Sequence, residues 1–136
     1  MFAPKSLATT TVIALLVAVG PLSTDMYLPA FPALAAAFDA DIAQVQQTLS
    51  IFLIGFAAAQ LAYGPLSDRY GRRPVLLAGL LMFFVSSLGI AVADSIQTIS
   101  LLRLLQAIGG SAGPVLGRAM VRDLYGPRES ARLLSY

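Results

Sequence analysis

Four long stretches without a charged residue constrain this chain more than anything else in it. Ser6–Thr24 (19 residues), Ile42–Ser67 (26) and Pro74–Ala93 (20) carry no Asp, Glu, Lys or Arg, and Ser95–Gly117 is interrupted only by Arg103. A bilayer core about 30 Å thick needs roughly 20 apolar residues in helix, and each stretch meets or nears that length. A soluble reading fails on surface: 12% of the residues are charged and 57% are hydrophobic, against about 25% charged in an average soluble domain. The expectation is an all-α integral membrane protein with four transmembrane helices, over about 7–38, 45–66, 74–93 and 95–120.

The charges lie where the runs stop. Lys5 precedes the first span, Arg69, Arg72 and Arg73 follow the second, and Arg118, Arg122, Arg128 and Arg132 follow the fourth. Asp39, Asp41 and Asp94 occupy the other side. Basic residues thus divide eight to none, with Arg103 left within the membrane. The positive-inside rule predicts a cytoplasmic N-terminus, a cytoplasmic loop at 67–73 and a cytoplasmic segment at 121–136. That last segment turns apolar again at Arg132-Leu133-Leu134-Ser135-Tyr136, as at the threshold of a fifth span. Met1 to Lys5 with the run behind them could pass for a signal peptide, but three more spans follow and no small-residue cleavage site is convincing, so an uncleaved first helix is expected.

Without histidine or cysteine, the chain lacks imidazole and thiolate ligands, so no metal site and no cofactor are expected. No nucleophile–base pair or phosphate-binding loop is visible, which argues against an enzyme. Arg72-Arg73 is better explained by topology than by nucleic acid.

Within the spans, polar residues mark particular faces. The first run contains Pro21, Pro29 and Pro32 and the polar cluster Ser23-Thr24-Asp25. In the second, Gln46, Ser50, Leu53, Ala57, Gln60 and Gly64 alternate by four and three, a polar or small stripe that should face a helix or a water-filled path. The third has Ser86 and Ser87 as its only hydroxyls and should be the most lipid-exposed. In the fourth, Arg103, Gln106, Gly110, Gly113 and Gly117 share a face, and Gly109, Gly113 and Gly117 form small-xxx-small steps suited to close helix packing.

Asp25 and Arg103 lie inside spans, where an isolated charge costs roughly 2.5–3.5 kcal/mol on insertion scales. Counted inward from Asp39 and Asp94, their depths are roughly 21 and 14 Å, an offset of about 7 Å that an arginine can bridge. Either a structural ion pair or a carboxylate that exchanges a proton fits this placement.

Two motifs resemble those of a known family. Gly64-x-Leu66-Ser67-Asp68-Arg69-x-Gly71-Arg72-Arg73-x-x-Leu76 resembles the loop-2/3 signature of the major facilitator superfamily, departing only at Ser67. Arg103-Leu104-Leu105-Gln106-Ala107-Ile108-Gly109 is similar to its fourth-helix signature, with Ala107 replacing a glycine. Ser23-Thr24-Asp25-Met26-Tyr27-Leu28-Pro29 and Gly117–Tyr125 resemble the drug:proton antiporter branch, nearest the bicyclomycin/chloramphenicol resistance transporters of bacterial inner membranes. The resemblance implies the first four helices of a twelve-helix fold, an inverted three-helix repeat plus helix four, belonging to an N-terminal six-helix domain.

It further implies proton-coupled efflux of small amphipathic drug-like molecules by alternating access, with a C-terminal half of the same protein as partner. Asp25, Arg103 and Gln106 would serve proton and substrate coupling. Asp68, Arg72 and Asp123 would latch the cytoplasmic side, within a loop motif that includes Gly64, Arg69, Gly71 and Arg73. Two other readings are a self-contained four-helix membrane anchor or subunit, and a small four-helix multidrug transporter working as a dimer. The one-sided distribution of basic residues disfavours the second of these.

Overall fold

The computed structural model describes residues 7–133, with side chains over 9–123. Lys5 and the residues after 133 lie outside the described part, as do the side chains of Arg128 and Arg132. The elements are α1 (Leu7–Asp25), a 3-10 turn (Leu28–Ala30), α2 (Phe31–Ala37), α3 (Ile42–Tyr70), α4 (Arg72–Ala91) and α5 (Ile96–Leu133). No strand occurs among the described residues. Four segments are long and apolar enough to cross a membrane: Thr9–Ala37, Ile42–Tyr70, Arg72–Ala91 and Ile96–Asp123.

The first span is a broken helix, and its prolines say where it breaks. A helical N–H at position i donates to the carbonyl at i−4. Pro29 therefore has nothing to offer the Asp25 carbonyl, and Pro32 nothing to offer Leu28. The chain responds with tighter bonds, Tyr27 N–H to Thr24 O at 3.1 Å and Ala30 N–H to Tyr27 O at 3.0 Å. It resumes as α2 with Pro32 in the first turn, where a missing donor costs little. Pro21 is carried inside α1 without ending it.

α3 begins at a capping box, in which Asp41 accepts from the backbone at Gln44 while the Gln44 side chain accepts from the Asp41 N–H at 3.0 Å. Its far end runs into the stretch expected to be a loop. Residues 67–70 extend α3 and Arg72 opens α4, leaving Gly71 alone between them. Gly71 has φ 92° and ψ 150°, a conformation that a side chain at Cβ disfavours. The charged residues flanking it therefore stand on two helix ends and not on a slack loop.

α5 is the hub, packing against α3, α4 and α1. Small residues make this possible on three sides. A Cβ at Gly55 of α3 would stand 2.6 Å from Leu104 and 3.4 Å from Ala107. Gly109 abuts the backbone of Gly79 and Phe83 on α4, where its Cβ would be 2.5 Å from each. A Cβ at Gly113 would run into the Leu16 carbonyl of α1, and one at Gly117 would stand 3.3 Å from Val17. The glycines read from sequence as successive steps on one face thus serve two neighbours, Gly109 meeting α4 while Gly113 and Gly117 meet α1. Lipid tails are as apolar as leucine, so the stabilisation comes from close van der Waals fit.

α4 packs on α5 by one side and exposes Leu77, Leu81, Phe84, Val85 and Leu88 on the other. On α3 the packed face is Val45, Thr48, Phe52, Gly55, Tyr63 and Ser67. The polar stripe lies off this face: Gln46, Ser50, Leu53 and Ala57 are exposed, and Gln60 and Gly64 are half-buried. No described helix covers it.

Candidate functional site

Two charged centres emerge, one at mid-span and one at the end of the bundle that carries the basic residues. The first is built around Arg103 on α5, which is 4% exposed. Sequence geometry allows it to reach Asp25, yet the structure does not bring them together. Asp25 is the last residue of α1 and is exposed, and no carboxylate forms an ion pair with Arg103 among the described residues. Its hydroxyl neighbours are occupied locally: Ser23 donates to the Val19 carbonyl at 2.7 Å and Thr24 to that of Gly20 at 3.3 Å. Of the Ser23-Thr24-Asp25 cluster, only the carboxylate is left facing outward.

Arg103 finds aromatic and amide partners instead. Its guanidinium carbon stands 3.4 Å from the ring centre of Tyr27 and 5.3 Å from that of Phe52. Such placement over a π face is favourable for a cation, worth about 2 kcal/mol or more when desolvated. One terminal nitrogen donates to the Gln106 side-chain oxygen at 2.9 Å. The Gln106 amide then donates to Ser87 Oγ on α4 at 2.8 Å, and Ser87 donates to the Phe83 carbonyl at 2.7 Å. Arg103 Nε is buried with no hydrogen-bond partner. The centre is thus a buried cation held by π faces and one amide oxygen, without a counter-charge.

Sequence reasoning placed Arg103 and Gln106 here but missed Tyr27, Phe52 and Ser87. The spacing from Arg103 to Gln106 is intrahelical and visible in sequence. Tyr27, Phe52 and Ser87 come from three other elements. The one available signal was the position of Tyr27 beside Asp25, just before Pro29.

The second centre ties three helix ends. Arg72, the first residue of α4, pairs with Asp68 of α3 at 3.2 Å and with Asp123 of α5 at 3.0 Å. It also donates to Ser67 Oγ at 3.0 Å, and Ser67 donates to the Gly64 carbonyl at 2.9 Å. Asp68 and Asp123 are served together by one cation because the guanidinium offers five donors in a fork. Ser67, the position that departs from the loop signature, is buried and contributes a ligand to Arg72. Arg69 and Arg73 are not brought in: Arg69 lies 5.4 Å from the Tyr70 ring centre, and both are exposed. Gly64 has open space around it, with nothing within 4 Å of a would-be Cβ. It lines a polar cleft with Asp68, Arg72, Arg118, Arg122 and Asp123.

Among the described residues no cluster of acidic side chains is suited to a metal ion.

Comparison with known proteins places these centres in context. The profile of the Major Facilitator Superfamily matches residues 13–136. A chloramphenicol resistance protein of Pseudomonas aeruginosa is 46% identical over 113 residues, 83% of this chain and 27% of that protein. The bicyclomycin resistance protein homolog of Haemophilus influenzae is 36% identical over 115 residues, 85% of this chain and 29% of its own length. Multidrug resistance protein D of Escherichia coli is 36% identical over 111 residues, 82% of this chain and 28% of its own. The chain therefore matches less than a third of the length of each of these relatives.

Proposed function

The chain belongs to the major facilitator superfamily, and we propose that it forms the opening part of a proton-coupled exporter of drug-like molecules. It is a multi-pass membrane protein of a transporter family, not an enzyme. We place it in a bacterial inner membrane with the N-terminus and the arginine-rich helix ends in the cytoplasm, on the eight-to-none division of basic residues. The complete transport path would include helices from a longer chain, since the matched relatives extend well beyond the shared region.

The observation that carries the reading is the unpaired centre. An exposed carboxylate ends a broken helix at Asp25, while an arginine with no counter-charge is buried on α5. A charge kept inside a membrane without a partner is costly, and such residues mark ion and proton pathways. In the proposed cycle Asp25 takes up a proton from the outer side. Its neutral form would tolerate separation from Arg103, and its ionised form would attract it. Gln106 would hold the guanidinium in register with α4. The Asp68–Arg72–Asp123 cluster would close the cytoplasmic end in one state and part when the path opens inward. The names of the relatives support small antimicrobial molecules as cargo.

The test is transport by the full-length protein in proteoliposomes with an imposed pH gradient, using chloramphenicol as probe. Gradient-driven chloramphenicol movement, with matching proton counterflow and loss of both in Asp25→Asn, is the expected result. Chloramphenicol movement indifferent to the gradient and to Asp25→Asn would overturn the proposal.

A further inference from the structure

The break in the first span brings one more residue into the centre. Tyr27 follows Asp25 by two positions, but its side chain turns the other way. Asp25 is exposed, whereas Tyr27 is buried with its ring against the Arg103 guanidinium at 3.4 Å. The ring is fixed from both ends. Its hydroxyl lies 2.5 Å from Thr48 Oγ1 on α3. The single Thr48 proton is committed to the Val45 carbonyl at 2.6 Å, so Tyr27 is the donor and Thr48 the acceptor. Phe31 of α2 meets the ring edge-on, with centres 5.4 Å apart and planes at 75°. Phe52, itself stacked on Phe56, contributes a second face to the same guanidinium at 5.3 Å.

We infer that Tyr27 is a positioning residue for Arg103, holding its guanidinium against α3 and away from Asp25 until the α1 break rearranges. The inference rests on the reading that Asp25 and Arg103 act as a pair. Three observations join here. Arg103 has a buried nitrogen without a hydrogen-bond partner, so its present placement is not held by hydrogen bonding alone. The two groups that compete for it, a π face and a carboxylate, stand on one short segment whose backbone ladder is interrupted at Pro29. Rotation of that segment therefore exchanges one partner for the other without moving α5. The phenol, unlike a phenylalanine ring, ties the choice to α3 through Thr48, so that movement of α3 relative to α1 is felt at Arg103.

The experiment follows the Arg103 Nε–H signal by NMR in full-length protein labelled at arginine, assigned by its loss in Arg103→Lys. Stacking on the ring predicts an upfield-displaced signal in the unaltered protein. Tyr27→Leu removes the face and shifts the balance from clamped to released Arg103 by about thirtyfold, the equivalent of one desolvated cation–π contact. The signal then moves downfield as the guanidinium meets the Asp25 carboxylate, and this displacement is lost in the double variant Tyr27→Leu/Asp25→Asn. Tyr27→Phe keeps most of the upfield displacement, which a general packing defect would not discriminate. An Arg103 signal unchanged by Tyr27→Leu, or a downfield signal that persists in the double variant, overturns the inference. If Tyr27→Leu does not insert, Tyr27→Met removes the aromatic face in its place, and an upfield displacement unaltered in Tyr27→Met would equally overturn the clamp. Transport does not enter this readout, so failure of gradient-driven efflux and failure of the clamp are separate results.

Discussion

Two arginines of this chain meet opposite surroundings and are compensated in opposite ways. Arg103 is buried and has two aromatic faces, one amide oxygen and no carboxylate. Arg72 is a third exposed and has two carboxylates and a hydroxyl. The difference follows from what each environment charges for a second ion. Bringing a carboxylate to Arg103 would desolvate another charge, which in a low-dielectric setting can cost as much as the pair returns. At the helix ends water still solvates Asp68 and Asp123, so pairing there is cheap but weakly stabilising. A partner that carries no net charge would suit the exchange proposed for Arg103, and a multidentate cluster would suit the reversible closure proposed for the helix ends.

The comparison can be broken most directly at Asp25. Asp25→Asn in the full-length protein should reduce gradient-driven efflux to background while membrane insertion, judged by yield and protease accessibility, stays normal. Coupled efflux at the usual rate would mean that the central arginine works without this carboxylate. Gly113→Val tests the frame that holds the centre. The new side chain meets the Leu16 backbone, which cannot swing aside, so a loss of about 1–3 kcal/mol is expected, read as a lower melting temperature in detergent. Gly64→Ala, with open space around it, is the control and should melt as the unaltered protein does.

Gln106→Leu sharpens the contrast on the buried side. It deprives Arg103 of its amide acceptor and Ser87 of its donor, and leaving buried polar groups unmatched costs about 1–3 kcal/mol. Denaturation by the same melting assay should show a drop, partly restored by Gln106→Asn only if the shorter amide still reaches. Asp68→Asn should have the smallest effect on stability. The carboxylate is two-thirds exposed, and removing one arm of an exposed pair changes stability by about 1 kcal/mol or less. Topology should stay unchanged, with basic residues still on one side, while efflux is impaired. If efflux persists at normal rate, the cluster is a topology signal and nothing more.

Much of the fold was legible because its causes are local. Runs of uncharged residues long enough to cross a bilayer, Pro29 and Pro32 in the first span and the glycines of α5 each carry their meaning in the residue itself or its near neighbours, whereas the grouping of Asp68 and Arg72 with the distant Asp123 came only through the family resemblance. The turn at 67–73 was misjudged for a reason equally local. Charged residues were read as loop, but Asp68, Arg69 and Arg72 are compatible with helix once only Gly71 must leave it.

The sequence alone therefore determined that the chain has four runs long and apolar enough to cross a membrane, which ends carry the basic charge, and that Asp25 and Arg103 lie within those runs. These follow from hydrophobic length and from the cost of charge in hydrocarbon, which need no knowledge of neighbours. Tertiary structure alone decided which way each side chain points at those depths. Two residues at reachable depth can lie on faces turned apart, and the helix break at Asp25 turns the carboxylate outward while sending Tyr27 to the arginine. Rotation about a helix axis is set by packing against other helices, here the three that α5 accepts through its small residues. That packing depends on contacts between positions far apart in the chain, and no spacing within a single span encodes it.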